Sequence, residues 1–160
     1  MQGQRKSTWI QSYFGCDGQD FINHSNGGGK ISVYAKVDES VYVSKDTSVC
    51  DAAVVKGNVR IFDEARIYGN ANISGKAIIS GRARVFGSSN VSGRATIRDD
   101  ASIFGKAVVK DSVQVLDSSK VYGNAIVGGA TILKNKIRVY NKTIINKKMK
   151  IYSQQGDLNE

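Results

Sequence analysis

ARIYGN ANISGK AIISGR ARVFGS SNVSGR ATIRDD ASIFGK: broken after every sixth residue, positions 65–106 read as seven versions of one line. The third column is Ile67, Ile73, Ile79, Val85, Val91, Ile97 and Ile103; the first is Ala except at Ser89, and the fifth is Gly except at Asp99. The register runs outward in both directions. Steps of six from Val37 to Ile151 meet twenty aliphatic residues and no polar one, and no insertion interrupts residues 35–152.

Small, outward, large, outward is the alternation of a very short strand with two inward side chains. Gly, Asp or Asn then supplies a tight corner that few other residues tolerate. A six-residue side cannot bury its apolar face alone, so the sides must wind into coils and stack. Three sides per coil give 18 residues per coil. The expected fold is therefore all-β: a single-stranded, triangular parallel β-helix of six to seven coils, about 30 Å long at ~4.8 Å per coil.

The 18-residue period has an independent check in the outward positions. After every third aliphatic come Cys50, Tyr68, Phe86, Phe104, Tyr122 and Tyr140, whereas the other two sides show no such order. The residue before the aliphatic on that side is Ser48, Arg66, Arg84, Ser102, Lys120 and Arg138.

Composition agrees. There are 17 Val and 16 Ile against three Leu, 17 Gly and no Pro. Leu fills helical cores, β-branched residues suit pleated surfaces, and Pro would remove ladder donors. A helix bundle is excluded. Residues 1–34, with Trp9, Tyr13, Phe14 and Phe21, break the repeat and are expected to cap the N-terminal end. Residues 35–152 form the β-helix, and residues 153–160 form a tail. Two cysteines are too few for a disulfide framework, and no apolar run reaches membrane length, so a soluble cytoplasmic protein is expected.

Over residues 35–152 the chain resembles the left-handed, hexapeptide-repeat β-helix proteins. Repeats such as ARIYGNANISG (65–75) and ARVFG (83–87) are similar to an uncharacterised bacterial and phage branch with ARVYGNA-type repeats. The resemblance implies a left-handed coil, and self-association, with trimers common in that superfamily. It also implies a small protein that blocks or recruits a host factor. The superfamily's acyltransferases use a His as general base and extrude loops between coils. Here the one His, His24, lies outside the repeat, and Gly falls one position later than in those enzymes. An acyltransferase-like enzyme is thus the alternative reading, and no catalytic residue is assigned.

No metal or cofactor is expected from one His and two Cys 34 residues apart. Asp51, Asp63, Asp99, Asp111 and Asp117 fall at corners, where a turn role suffices. GGGK at 27–30 lacks a P-loop pattern and reads as a flexible hinge.

The expected binding surface is the aromatic–basic face of Arg66, Tyr68, Arg84, Phe86, Phe104, Lys120, Tyr122, Arg138 and Tyr140. Outward aromatics with Arg are the composition of protein-binding hot spots. Stacking of such rings also stabilises neighbouring coils without any partner. The net charge of +9 is uneven: residues 134–160 carry +5. Lys134, Lys136, Lys142, Lys147, Lys148 and Lys150 make a basic end that suits an acidic protein surface or nucleic-acid phosphates, and equally guards an exposed terminal coil. Outward Val108, Ile126 and Ile144, with Ile132 on another side, suggest a homo-oligomer, a dimer or trimer.

Overall fold

The structure, a computed structural model, describes Cys16 and residues 18–153. These residues contain no helix, and their strands are two or three residues long. From Lys36–Val37 onward a strand begins at every sixth residue. The strands gather into three sheets of eight, seven and seven. Each sheet is one side of a triangular prism, and each strand pairs in parallel with the one 18 residues away, as Arg84 does with Arg66 and with Ser102.

The alternation of the hexad is realised as burial. Ile67, Ile73, Ile79, Val85, Val91, Ile97 and Ile103 are fully buried, as are Ala65, Ala71, Ala77 and Ala83. Where the small position carries a hydroxyl, it stays satisfied inside the core. Ser89 donates to the Phe86 carbonyl (2.8 Å), and Thr131 donates to the Gly128 carbonyl (2.9 Å). No buried side-chain polar atom among the described residues lacks a partner, as a dry core requires.

Corners explain the Gly/Asp choice. Gly87 has φ +71°, and a Cβ there would come within 2.9 Å of the Gly105 backbone nitrogen. The five corner aspartates adopt the same left-handed region, with φ between 55° and 63°, and offset that strain with a bond to the next coil. Asp51 accepts from the Gly69 N–H (2.7 Å), Asp63 from Gly81 (2.9 Å), and Asp111 from Gly129 (2.8 Å). Asp99 and Asp117 accept likewise from Asp117 and Asn135. A short carboxylate tolerates this backbone and caps the corner beneath it.

The N-terminal end departs from the prism. Lys30–Ser32 already pairs in parallel with Ser48–Val49, and Ile31 is 3 % exposed, so the coil pattern starts one side before residue 35. Ahead of it, Phe21–Asn23 runs antiparallel to Lys30–Ser32 as a hairpin on the sheet edge. Phe21 is 37 % exposed, so this end is closed by backbone pairing rather than by that ring. Trp9, Tyr13 and Phe14 lie outside the described residues, as do residues 154–160 of the expected tail.

Two sequence expectations change here. Cys16 and Cys50 form a disulfide, with Cα atoms 5.4 Å apart. The hairpin reverses the chain, so the six-residue step does not carry through it and the spacing of 34 held no signal. Gln19 adds polar clamps to the same corner, accepting the Asp51 N–H (2.9 Å) and donating to its carboxylate. The second change concerns the glycines of GGGK, which are not a hinge. A Cβ on Gly27 would lie 2.4 Å from the Val43 carbonyl oxygen, and one on Gly29 would lie 2.4 Å from the Val43 side chain. The glycines let the loop press onto the first coil.

Candidate functional face

All nine residues of the expected aromatic–basic face lie on the eight-stranded side. Arg66, Arg84, Lys120 and Arg138 occupy directly paired positions of successive strands, with Ser102 in the middle. Their outward direction follows from the pleat, because each precedes a buried aliphatic. Arg84 and Arg138 are exposed; Arg66 and Lys120 are half-buried. Arg84, Lys120 and Arg138 take no part in the ion pairs Arg82–Asp100 and Arg98–Asp99.

The five aromatics form one continuous stack. Ring centroids are 4.7 Å apart for Tyr68–Phe86, 4.9 Å for Phe86–Phe104, 4.8 Å for Phe104–Tyr122 and 5.3 Å for Tyr122–Tyr140. Ring planes are within 11° of parallel throughout. The spacing is that of the strands, so the coil repeat itself sets the stack. The chemical consequence is that inner rings give both faces to their neighbours. What reaches solvent is a column of ring edges with a column of cations beside it. Ring edges carry the positive end of the aromatic quadrupole, so both columns favour anionic groups.

Cys50 holds the ladder position one coil before Tyr68 and is fully buried, so the disulfide closes the N-terminal end of the stack. Tyr68 is half-buried at the start of the stack. Burial pushes its phenol above the usual 10.0, and Asp51 adds to the rise, while Arg84 and Arg66 pull against it.

The basic end is dispersed rather than concentrated. Lys134, Lys136, Lys142, Lys147, Lys148 and Lys150 are all exposed. Lys134 and Lys150 belong to one side, Lys142 follows the aromatic side, and Lys147 follows the third side. The lysines ring the last coil and are not gathered into one groove. Val108, Ile126 and Ile144 do align on the third side, and Ile144 is 70 % exposed.

His24 is tied into the cap: its Nε2 lies 2.9 Å from the Val41 carbonyl oxygen. Among the described residues no group of three or more His, Cys, Asp or Glu could hold a metal, and no helix is long and apolar enough to cross a membrane.

Fold and face together define a class: a single-stranded parallel β-helix with a stacked aromatic column and a cation row on one side. Comparison of the chain with family models, with curated proteins and with solved structures finds no match.

Proposed function

We propose that this is a non-catalytic binding protein whose aromatic–basic side engages an acidic protein partner. The observation that carries the reading is the in-register row Arg66, Arg84, Lys120 and Arg138 alongside the outward ring edges. A rigid sheet holds these cations at fixed spacing, so little ordering entropy is lost on binding. Complementary acidic groups would find both charge and bidentate guanidinium geometry. The six-residue step also supports kinship with the left-handed, hexapeptide-repeat proteins. The Cys16–Cys50 disulfide favours an oxidising compartment over the cytoplasm. An acyltransferase-like activity gains no support from His24, whose imidazole is engaged with the Val41 carbonyl.

The rings are part of the coil stacking, so the arginines are the cleaner target. Fluorescence anisotropy with labelled poly-L-glutamate should give binding that weakens with salt and falls about tenfold or more in the double variant Arg84→Ser/Arg138→Ser. Equal binding by that variant would overturn the reading. A single-stranded oligonucleotide of matched charge, bound more tightly and lost in Lys147→Ser/Lys148→Ser, would replace it with nucleic-acid binding.

A further inference from the structure

A concave feature lies on a different side of the prism from the aromatic–basic face, at its N-terminal end. Asn26, Ser40, Tyr42, Asn58, Arg60 and Phe62 line a half-open cleft of about 310 Å³. That is at the small end of the ~300–1,000 Å³ range of ligand sites.

The cavity is built from fixed parts. Its floor is the start of a seven-stranded side, where Tyr42 and Arg60 are direct partners in parallel strands. Phe62 follows two residues after Arg60 and so projects from the same outward face. Its roof is the loop after the hairpin's first strand, which several bonds hold to the first coil. Gly29 N–H donates to the Val43 carbonyl (2.9 Å), and Val43 N–H donates to the Asn26 carbonyl (3.0 Å). A Gly28–Ser44 bridge and the His24–Val41 contact complete the attachment. The rim is fixed by Ser40, whose hydroxyl donates to the Gly57 carbonyl (2.7 Å).

Tyr42 and Phe62 differ from the aromatic column. Their centroids are 5.4 Å apart, but their planes are inclined at 45°. A tilted pair makes a wedge rather than a parallel slot, which suits a puckered ring with axial and equatorial C–H groups better than a flat base. Around the wedge the polar groups are complementary to a saccharide. Asn58 offers an amide donor and acceptor for hydroxyls, and Asn26 offers its amide oxygen and a second N–H, the first donating to the Glu39 carbonyl (3.5 Å). Arg60 is exposed, supplies the cavity's one cation and has no ion-pair partner among the described residues. Among the described residues no carboxylate lines the site. One guanidinium fork matches one carboxylate.

We propose that this cavity binds a carboxylated saccharide, with a single pyranose against Tyr42 and Phe62 and its carboxylate on Arg60. The site is independent of the aromatic–basic side, so either assignment can fail without the other.

The test is titration of the intact oxidised protein with methyl β-D-glucuronide, followed by amide and side-chain NMR shifts. A ligand of roughly 14 non-hydrogen atoms at ordinary ligand efficiency gives a Kd on the order of 1 mM. Shifts should centre on Asn58, Arg60 and Phe62. Methyl β-D-glucoside, which lacks the charge, and the variant Arg60→Gln should each bind about tenfold more weakly. Phe62→Ser should weaken both sugars, and Arg84→Ser should leave binding unchanged. Thermal melts by circular dichroism verify that the variants fold. No shift at tenfold higher concentration, equal affinity for the neutral glucoside, unchanged binding by Arg60→Gln, or tighter binding of uridine monophosphate would each overturn the proposal.

Discussion

Replacing Phe104 by Ala removes the middle ring of the aromatic column. Phe104 contacts Phe86 at 4.9 Å and Tyr122 at 4.8 Å, with planes within 5° of parallel. Each stacked pair is worth about 0.5–1.5 kcal/mol beyond area burial, so the substitution loses about 1–3 kcal/mol before any loss of buried apolar surface. Tyr140 has one described stacking neighbour, at 5.3 Å and 11°. Tyr140→Ala therefore loses about half as much. Each coil touches its neighbours alone, so coupling should be nearest-neighbour. A double-mutant cycle on Phe86 and Phe104 should return about 0.5–1.5 kcal/mol. A cycle on Tyr68 and Phe104, two coils apart, should be additive within ~0.5 kcal/mol. Urea unfolding read by far-ultraviolet dichroism and by tyrosine fluorescence supplies the measurement. Two probes are needed because stacked repeats can unfold in parts. Equal losses at Phe104 and Tyr140, or a Tyr68–Phe104 coupling as large as the adjacent one, would refute the stacking account.

Reducing the Cys16–Cys50 disulfide, which spans 34 residues of sequence, should destabilise the protein by about 3–4 kcal/mol on loop-closure grounds; urea midpoints with and without dithiothreitol measure this, and coincident curves would contradict it. Tyr68 makes stability fall at alkaline pH. Its folded pKa lies above the usual 10.0, so its contribution is complete below pH 10 and is lost as pH rises through the folded value. Phenolate absorbance at ~295 nm should show a late-ionising component that Tyr68→Phe removes, and the same substitution should flatten the alkaline loss.

The column of aliphatics from Val37 to Ile151 was legible because burial, period and corner chemistry all repeat, and one failed hexad would have been visible. The aromatic side was legible for the same reason: the 18-residue period brings Tyr68, Phe86, Phe104, Tyr122 and Tyr140 into one line. The sequence does not say how far the rings stack face to face, since outward placement alone leaves their planes free. Nor does it place the disulfide or the cavity. Both depend on the hairpin Phe21–Asn23 and Lys30–Ser32, where chain direction reverses and the hexad count stops carrying information. The corner aspartates were read as turn residues. Their bonds to the next coil emerge from the fixed 18-residue offset, as between Asp63 and Gly81.

The two ends of the prism are sealed by different physics. At the N-terminal end, the antiparallel strand Phe21–Asn23 and the loop bridged through Gly28 to Ser44 occupy the edges of two of the three sheets. That stopper is made of chain, and no change of solvent short of unfolding removes it. At the C-terminal end the strands Arg138–Val139, Ile144–Asn146 and Lys150–Tyr152 stand last in their sheets, with exposed lysines around them. That stopper is made of repulsion, which fades within about 10 Å at 0.1 M salt and about 3 Å at 1 M. The charge that guards these strand edges, among the described residues, is therefore screened as ionic strength rises.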